Sequence, residues 1–554
     1  MNERSSVLSA LCSAPQISVL IAGGGVNGIG LFRELCLQGV DCLLAERRDF
    51  VSGASSKSSR LIHGGLRYLE NGEVRLVRTA LIERDRLLGN APHYVRPLQV
   101  VIPFYSYLGG LLKCPLLFAG LPLQPGGRGA LVTKAGLLFY DMVSRKYHRL
   151  PRHSFFTRKA ALADFPELSG DILGAASYWD ARITEAERLC IELLEEALGA
   201  CPDSFALNYL EVLDRRGEQV LLRDAVSGEV LAVRPRVVIN AAGAWIDRVN
   251  ERLGLNAKLI GGTKGSHLVI RNDKLHRALR GRMLYYEYAD GRLCLAFPLE
   301  DTVLVGTTDI PVDDPDRARC ERSEVEYLLS ALKSVLPGLE VSERQIVHSF
   351  CGVRPLPAER ANVPGRISRD HRIVRFGPAG DRPFPIFSLV GGKWTTFRAL
   401  SEEACDRVLD LLGLKRRVWT KKRPIGGGRN WPADPERWSE NVARTSGLSK
   451  ERVASLLGRY GTRAAELARE FTSSGDRPLD TLPDFSYREI ERIARREFVV
   501  SLSDIVYRRT IIGISGMARP EALQELARVA GRILGWNEEK CREQIHRVRA
   551  EVGT

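Results

Sequence analysis

The chain has no Cys-x-x-Cys pair, and its 11 cysteines, scattered singly from Cys12 to Cys541, form no even framework. Zinc ribbons and disulfide scaffolds are therefore disfavoured, and a reducing cytosolic compartment fits. Each cysteine reads as a small buried hydrophobe. Long apolar runs are also missing. Met1 to Gln16 lacks a basic segment followed by an apolar core and does not read as a signal peptide. The greasiest stretch, L-G-G-L-L-K-C-P-L-L-F-A-G-L-P-L from Leu108 to Leu123, is broken by Lys113, Pro115, Gly120 and Pro122. It is too short and too interrupted to span a bilayer, so it is either a core segment or one that dips into a membrane surface. Internal repeats and low-complexity tracts are absent too.

What is present is an ordinary globular composition, 44% apolar and 27% charged, over 554 residues. That length exceeds one hydrophobic core and predicts two or three domains. The net charge of +14, from 81 basic and 67 acidic residues, suits nucleic acid, an anionic membrane surface or an anionic small substrate. Composition alone does not choose among these. The basic clusters lack interleaved aromatics and any recognisable nucleic-acid module, which argues against nucleic acid as a partner.

Ile17 to Ala22 is almost wholly apolar, as in a strand buried on both faces of a parallel sheet. It runs into Gly23-Gly24-Gly25-Val26-Asn27-Gly28, after which Ile29, Phe32 and Cys36 fall at helical spacing and Gly39 supplies a stop. A second apolar run, Val40 to Ala45, ends on Glu46. Glycines at a G-x-G-x-x-G spacing between strand and helix, with an acid ending the next strand, form a dinucleotide-binding fingerprint. Gly23 permits the tight turn, Gly25 lets backbone approach a pyrophosphate, and Gly28 allows close helix–strand packing. Glu46 is the expected acceptor for ribose hydroxyls. The following loop, Ser55 to Tyr68, is polar and punctuated by glycine, suited to pass along an extended pyrophosphate and under a ring system. That feature argues for FAD over NAD.

Further along, Val212–Leu213, Val220–Leu222 and Val230–Val233 predict a small antiparallel meander. A separate buried strand, Val237 to Ile239, leads to the turn Asn240-Ala241-Ala242-Gly243. From Lys415 to Pro435, charged clusters, Gly426-Gly427-Gly428 and prolines suggest a linker. The remainder is helical in pattern: Leu523, Leu526, Ala527, Ala530, Ile533 and Leu534 share one face, and Gly535 can close that helix.

These residues resemble the FAD-dependent glycerol-3-phosphate dehydrogenases, the flavoprotein family that includes the glycerophosphate oxidases. The resemblance runs over about residues 17 to 515 and rests on an ordered set of motifs. They are the fingerprint, Ser58-Ser59-Arg60-Leu61-Ile62-His63-Gly64-Gly65-Leu66-Arg67-Tyr68-Leu69-Glu70, Asp180-Ala181-Arg182 and Lys264-Gly265-Ser266-His267. Val305-Gly306-Thr307-Thr308-Asp309, Gly352-Val353-Arg354-Pro355, Gly391-Gly392-Lys393-Trp394-Thr395-Thr396-Phe397-Arg398 and Arg508-Arg509-Thr510 follow. Arg60 stands where relatives often carry Lys, and no D-x-D-x-D-G calcium loop follows residue 515.

The resemblance implies an α/β, Rossmann-like FAD-binding domain of the glycine oxidase and D-amino-acid oxidase type. It is interleaved with an antiparallel β-sheet substrate domain and followed by a C-terminal α-helical domain. The expected division is 15–95, 180–255 and 345–410 for FAD, 96–179 and 256–344 for the substrate or cap domain, and 425–554 for the helical domain. Cofactor contacts are expected from Gly23, Gly24, Gly25, Asn27, Gly28, Glu46, Ser58, Ser59, His63, Gly64, Gly65, Ala242, Gly243, Gly392, Lys393 and Thr395. Arg67, Tyr68, Arg354 and His267 are expected at the substrate, since a phosphate dianion calls for paired arginines. His63, Arg67, Arg354 and Lys393 are the catalytic candidates: His63 as base, with His267 as runner-up, and Lys393 to stabilise charge on the reduced ring.

The reaction implied is oxidation of sn-glycerol 3-phosphate to dihydroxyacetone phosphate by hydride transfer to flavin, with electrons passed to a membrane quinone. An oxidase using O2 is the alternative, and a basic flavoprotein binding nucleic acid a remote one. The expected setting is cytoplasmic and peripheral, on the anionic inner face of the cytoplasmic membrane, with a homodimer possible.

Overall fold

The structure, a computed structural model, describes residues 2–111, 113, 127–144, 149–358 and 368–551. Most of the stretch from Leu108 to Leu123 lies outside the described residues.

Two sheets organise the molecule. In the first, parallel strands run in the order Ile386–Val390, Val230–Asn240, Gln16–Ala22, Cys42–Ala45 and Phe205–Leu207, with Arg372–Phe376 antiparallel at one edge. The strand Gln16–Ala22 is central, and its Val19, Leu20 and Ile21 are fully buried, as a strand covered on both faces requires. Helices Val26–Cys36, Ala186–Ala200 and Phe397–Leu412 supply apolar side chains to the largest core cluster, together with Val19 and Ile21.

The predicted meander and the predicted strand after it are one continuous element. Val230–Asn240 pairs antiparallel with Gln219–Asp224 through Val230–Val233, then parallel with Gln16–Ala22 from Arg234 to Asn240. Arg234-Pro235-Arg236 looks like a break in the sequence. In the fold it is where the strand changes partner.

The second sheet runs Ile310–Pro311, Thr263–Ile270, Thr302–Gly306, Leu293–Leu299, Met283–Glu287, Val95–Phe104, Gly174–Ile183 and Leu61–Ile62. It is antiparallel except where Met283 and Leu284 pair parallel with Val100 and Val101. Ile346–Arg354 joins it along the whole of Thr263–Ile270. Leu61–Ile62, in the loop that follows Glu46, thus pairs into this second sheet.

After the helix Phe397–Leu412, the connector up to Pro435 is fastened at nearly every turn. Arg416 pairs with Glu34 and Asp406, Lys421 with Glu402, and Arg423 with Glu196, while the Arg417 and Val418 amides donate to Gln38 Oε1. Its basic clusters clip it to the first domain, so it is a strap and not a flexible tether. Beyond it come helices from Pro435–Ser446 to Glu538–Ala550. In Pro520–Leu534 the predicted face turns inward: Leu523, Leu526, Ala527 and Ala530 are buried, Ile533 and Leu534 are half-buried against the same core, and Gly535 caps the end in the left-handed region.

Candidate functional site

A cleft of about 750 Å³ opens at the carboxyl ends of the parallel strands and extends beneath the second sheet. Crevices outside the carboxyl ends of parallel strands are where such folds take dinucleotides. Of the sequence-predicted residues, Gly23, Gly25, Asn27, Glu46, Ser58, Ser59, His63, Gly65, Arg67, Tyr68, Ala242, Gly243, His267, Arg354, Gly392, Lys393 and Thr395 line it. Gly24, Gly28 and Gly64 stand just behind the wall.

At one end the strand Gln16–Ala22 delivers the chain into the glycine turn. Gly23 has φ +116°, and a Cβ there would lie 2.5 Å from the Ala241 carbonyl oxygen. A Cβ on Gly28 would lie 1.9 Å from the Gly23 carbonyl oxygen, so helix and turn can close only around glycine at both positions. The helix Val26–Cys36 has no acid in its first turn and points its N-terminus, the positive end of its dipole, toward the cleft from Gly25. Glu46 receives the Gly24 N–H at 2.6 Å and the Arg48 N–H at 2.9 Å. Burial pushes its carboxyl up while those amides act against that shift.

The loop after Glu46 is held against the cleft from three sides. Ser55 Oγ accepts the Val26 N–H at 3.0 Å, and Trp394 Nε1 donates to the Ser55 carbonyl at 2.8 Å. The His63 N–H donates to Thr395 Oγ1 at 3.0 Å, and that hydroxyl donates back to the His63 carbonyl at 3.1 Å. Gly64 N–H reaches Asp180 Oδ1 at 3.3 Å, while Arg84 Nη1 and the Tyr140 hydroxyl donate to the same carboxylate at 3.0 Å each. Asp180 and Arg84 are buried beneath the loop. They are supports that sequence reasoning did not identify, although Asp180-Ala181-Arg182 had marked the spot.

At the other end cations gather around Tyr68. Lys393 Nζ lies 4.4 Å from its ring centre. Arg354 Nη1 donates to Asp309 Oδ1 at 3.1 Å, and its Nη2 donates to Thr307 Oγ1 and the Thr308 carbonyl at 3.1 Å each. Arg369 takes the other Asp309 oxygen at 3.2 Å. One carboxylate thus orients two guanidinia, with Arg67 and Lys393 beside them, leaving a positive excess. Burial opposes ionisation of the Asp309 carboxyl, but Arg354 and Arg369 outweigh it and hold the carboxyl below its usual range. Burial likewise raises the Tyr68 phenol, and Lys393, Arg369, Arg67 and Arg354 together bring it below its ordinary value. Arg369 carries no motif, only the unremarkable Ser368-Arg369-Asp370, and nothing in the sequence marked it.

Both candidate bases are neutral imidazoles. Burial, reinforced by Lys393 and Arg84, drops His63 well below its ordinary value. Burial, reinforced by Arg354, brings His267 to about 3. His267 is stacked on Phe350 at 4.9 Å, with Nε2 2.7 Å from Ser59 Oγ. It is a poor cation for a phosphate, and its visible partner is the loop.

The cleft fits FAD. It is long enough to join the glycine turn to the cationic end. Two of its polar atoms, Asn27 Oδ1 and Lys393 Nζ, are buried without a hydrogen-bond partner among the described residues. Buried polar groups left in that state are costly unless a ligand completes them. Among the described residues no group of His, Cys, Asp or Glu could hold a metal ion.

A second, apolar groove of about 770 Å³ abuts the cleft and shares Leu66, Arg67, Arg128, Tyr285 and Leu293 with it. Tyr105, Leu111 and Leu131 line it further out. Several exposed apolar side chains fall in the adjoining segments 105–111 and 130–144, where Leu108 is 62% exposed, Leu138 54% and Met142 65%, although others, such as Trp419 and Val230, lie elsewhere. No helix among the described residues is long and apolar enough to cross a membrane.

Comparison with known proteins agrees with this geometry. The family model described as FAD dependent oxidoreductase matches residues 18–380, and that of the C-terminal domain of alpha-glycerophosphate oxidase matches 418–541. A glycerol-3-phosphate dehydrogenase of Synechocystis sp. is 32% identical over 96% of this chain and 95% of its own. One from Pseudomonas aeruginosa is 29% identical over 90% and 92%. Among solved structures, the Bacillus halodurans glycerol-3-phosphate dehydrogenase complexed with FAD shares the fold at a TM-score of 0.75. It is 23% identical and covers 99% of this chain and 97% of its own.

Proposed function

The chain belongs to the FAD-dependent oxidoreductases, among the glycerol-3-phosphate dehydrogenases, and on that footing we propose that it oxidises sn-glycerol 3-phosphate to dihydroxyacetone phosphate with FAD, passing the electrons to a membrane quinone. The observation that carries the reading is the cation cluster of Arg67, Arg354, Arg369 and Lys393, which stands in one cleft with the glycine turn.

Gly23, Gly25 and the helix amides behind them would hold the pyrophosphate, and Glu46 the ribose. Asn27, Ser58, Ser59, Gly65, Ala242, Gly243, Gly392 and Thr395 would line the rest of the cofactor. When bound, FAD supplies a two-electron acceptor for the substrate's secondary carbinol. Arg67, Arg354 and Arg369 bind the phosphate dianion, with the Arg354 and Arg369 planes preset by Asp309 so that little orientation is lost on binding. Tyr68 packs beside them. His63 Nδ1 or Nε2 accepts the hydroxyl proton. Its lowered pKa keeps the imidazole free to do so and makes the imidazolium quick to release the proton again. Lys393, already buried and short of partners, stabilises negative charge at its end of the cleft. Strands of the second sheet line the far side of the site.

The apolar groove beside the cleft and the exposed Leu108, Leu138 and Met142 support a lipid-borne acceptor and a peripheral seat on an anionic membrane surface. Addition of glycerol 3-phosphate to the yellow protein without oxygen should bleach the flavin. A colourless purified protein would defeat the cofactor reading, and a yellow protein that does not bleach would defeat the substrate. Rapid H2O2 formation with substrate alone would replace the quinone by O2.

A further inference from the structure

Arg508-Arg509-Thr510 lies in the C-terminal helical region and, among the described residues, its hydrogen bonds and ion pairs go elsewhere than to the phosphate-binding end, so it has no part in the chemistry above. Its two arginines nevertheless reach back into the first domain. Asp49, 1% exposed, stands three residues after Glu46 and receives four donors. Arg509 Nη2 and Asn208 Nδ2 donate to Oδ1 at 2.8 Å each, Arg509 Nη1 to Oδ2 at 2.8 Å, and Arg508 Nε to Oδ2 at 2.7 Å. Arg509 is fully buried and its Nε is tied to the Glu497 carbonyl at 2.7 Å, so the guanidinium plane is fixed.

The clamp continues into the cleft wall through the next two residues. Phe50 packs edge-on against Phe498 with ring centres 5.3 Å apart, and its ring fills the space where a Gly24 Cβ would sit. Val51 N–H donates to the Gly24 carbonyl at 2.8 Å. Gly24 N–H, in turn, holds Glu46 Oε2. An unbroken line of contacts therefore runs from Arg509 through Asp49, Phe50 and Val51 to Gly24 and Glu46, which form the adenosine end of the cleft.

We propose that Arg508 and Arg509 are positioning residues for FAD: by clamping Asp49 they set the Glu46–Val51 turn, so that docking of the C-terminal helical domain and retention of the dinucleotide are thermodynamically linked. A bidentate arginine suits this task because it fixes direction as well as charge. Linkage is reciprocal, so bound FAD also holds the helical domain in place. The inference rests on the FAD reading and does not depend on the substrate.

The test measures FAD loss from purified holoenzyme, followed by the rise in flavin fluorescence on dilution. Arg509→Ala is expected to lose FAD at least tenfold faster than the parent, and Arg509→Lys, which keeps charge but not the bidentate geometry, at least threefold faster. Leu526→Ala, in the helical core and making none of the Asp49 contacts, should lower Tm yet leave FAD loss within twofold. Should Arg509→Ala not fold, the Lys variant decides alone. Unchanged FAD retention in the folded arginine variants overturns the proposal, and so does equal loss from Leu526→Ala, which would mean general destabilisation. A parent protein purified without flavin would instead defeat the FAD reading itself. Limited proteolysis gives an independent readout, with cleavage in the C-terminal helices expected to slow when FAD is present.

Discussion

Lys393 Nζ sits 4.4 Å from the centre of the Tyr68 ring, buried and without a hydrogen-bond partner among the described residues. Burial pulls its pKa down, while the Tyr68 phenol and Asp180 act to keep it charged. A cation held this way costs stability and is suited to meet charge that appears only during reaction. Lys393→Met should slow anaerobic flavin bleaching by about 10²-fold, with a smaller change in substrate affinity. Stopped-flow absorbance resolves the two, and bleaching at the parent rate would remove Lys393 from the chemistry.

Arg354→Ala removes one of the two guanidinia oriented by Asp309. KM for glycerol 3-phosphate should rise by about 10²-fold, the loss of a charge-assisted bidentate contact, while FAD stays bound. Arg354→Lys should recover only part of this, because a point charge lacks the planar fork. Steady-state kinetics with flavin content measured in parallel is the check, and parent-like KM in the alanine variant would assign the phosphate elsewhere.

His63→Asn should lower kcat by about 10²-fold or more with KM little changed. In the parent, His63 is held neutral well below its ordinary value, so kcat/KM should not step down as pH falls through 6.5. A titration centred near 6.5 would mean that the imidazole is solvated in the working enzyme.

Acid stability should be lost in two stages. His348, stacked between Phe350 and Tyr507, is brought by burial to about 4, and His267 to about 3. For each, the folded pKa lies below the unfolded value, so its contribution is complete above about 6.5 and lost as pH falls toward the folded value. Glu489 is held at about 2: its burial is outweighed by Arg459 and Arg452, and its contribution is lost only below about 4.5. Each shift corresponds to something on the order of 3 kcal/mol. His348→Phe should flatten urea stability between pH 6.5 and 4, whereas Glu489→Gln should act mainly below 4.5 on the pH dependence and lower stability at neutrality.

Leu138 and Met142 are four residues apart on one exposed face of the helix Ala130–Ser144 and do not line the groove. Changing both to Glu should abolish flotation with anionic liposomes while turnover with a water-soluble dye stays within twofold. Flotation equal to the parent would move the membrane contact to another face.

The sequence by itself determined the dinucleotide end. Strand, glycine turn, helix and Glu46 are contiguous, and their constraints are local: a positive φ at Gly23, a close approach at Gly28, an apolar strand and a periodic helix. It also marked His63, Arg67, Tyr68, Arg354 and Lys393, because each is embedded in a motif. What it did not contain is who meets whom. Arg369 joins the cation cluster only because the chain near the strand Arg372–Phe376 returns beside Asp309, and Asp180 supports Gly64 only because Gly174–Ile183 pairs with Leu61–Ile62. The strand Val230–Asn240 looked like two elements because its pattern changes where its partner changes. The linker looked loose because its glycines and charges are those of a tether, yet carboxylates distant in sequence hold it down. Local sterics and periodicity can be read along one chain, but ion pairs and sheet partners belong to segments up to hundreds of residues apart. Arg509 closing on Asp49 is a contact that only the tertiary fold could decide.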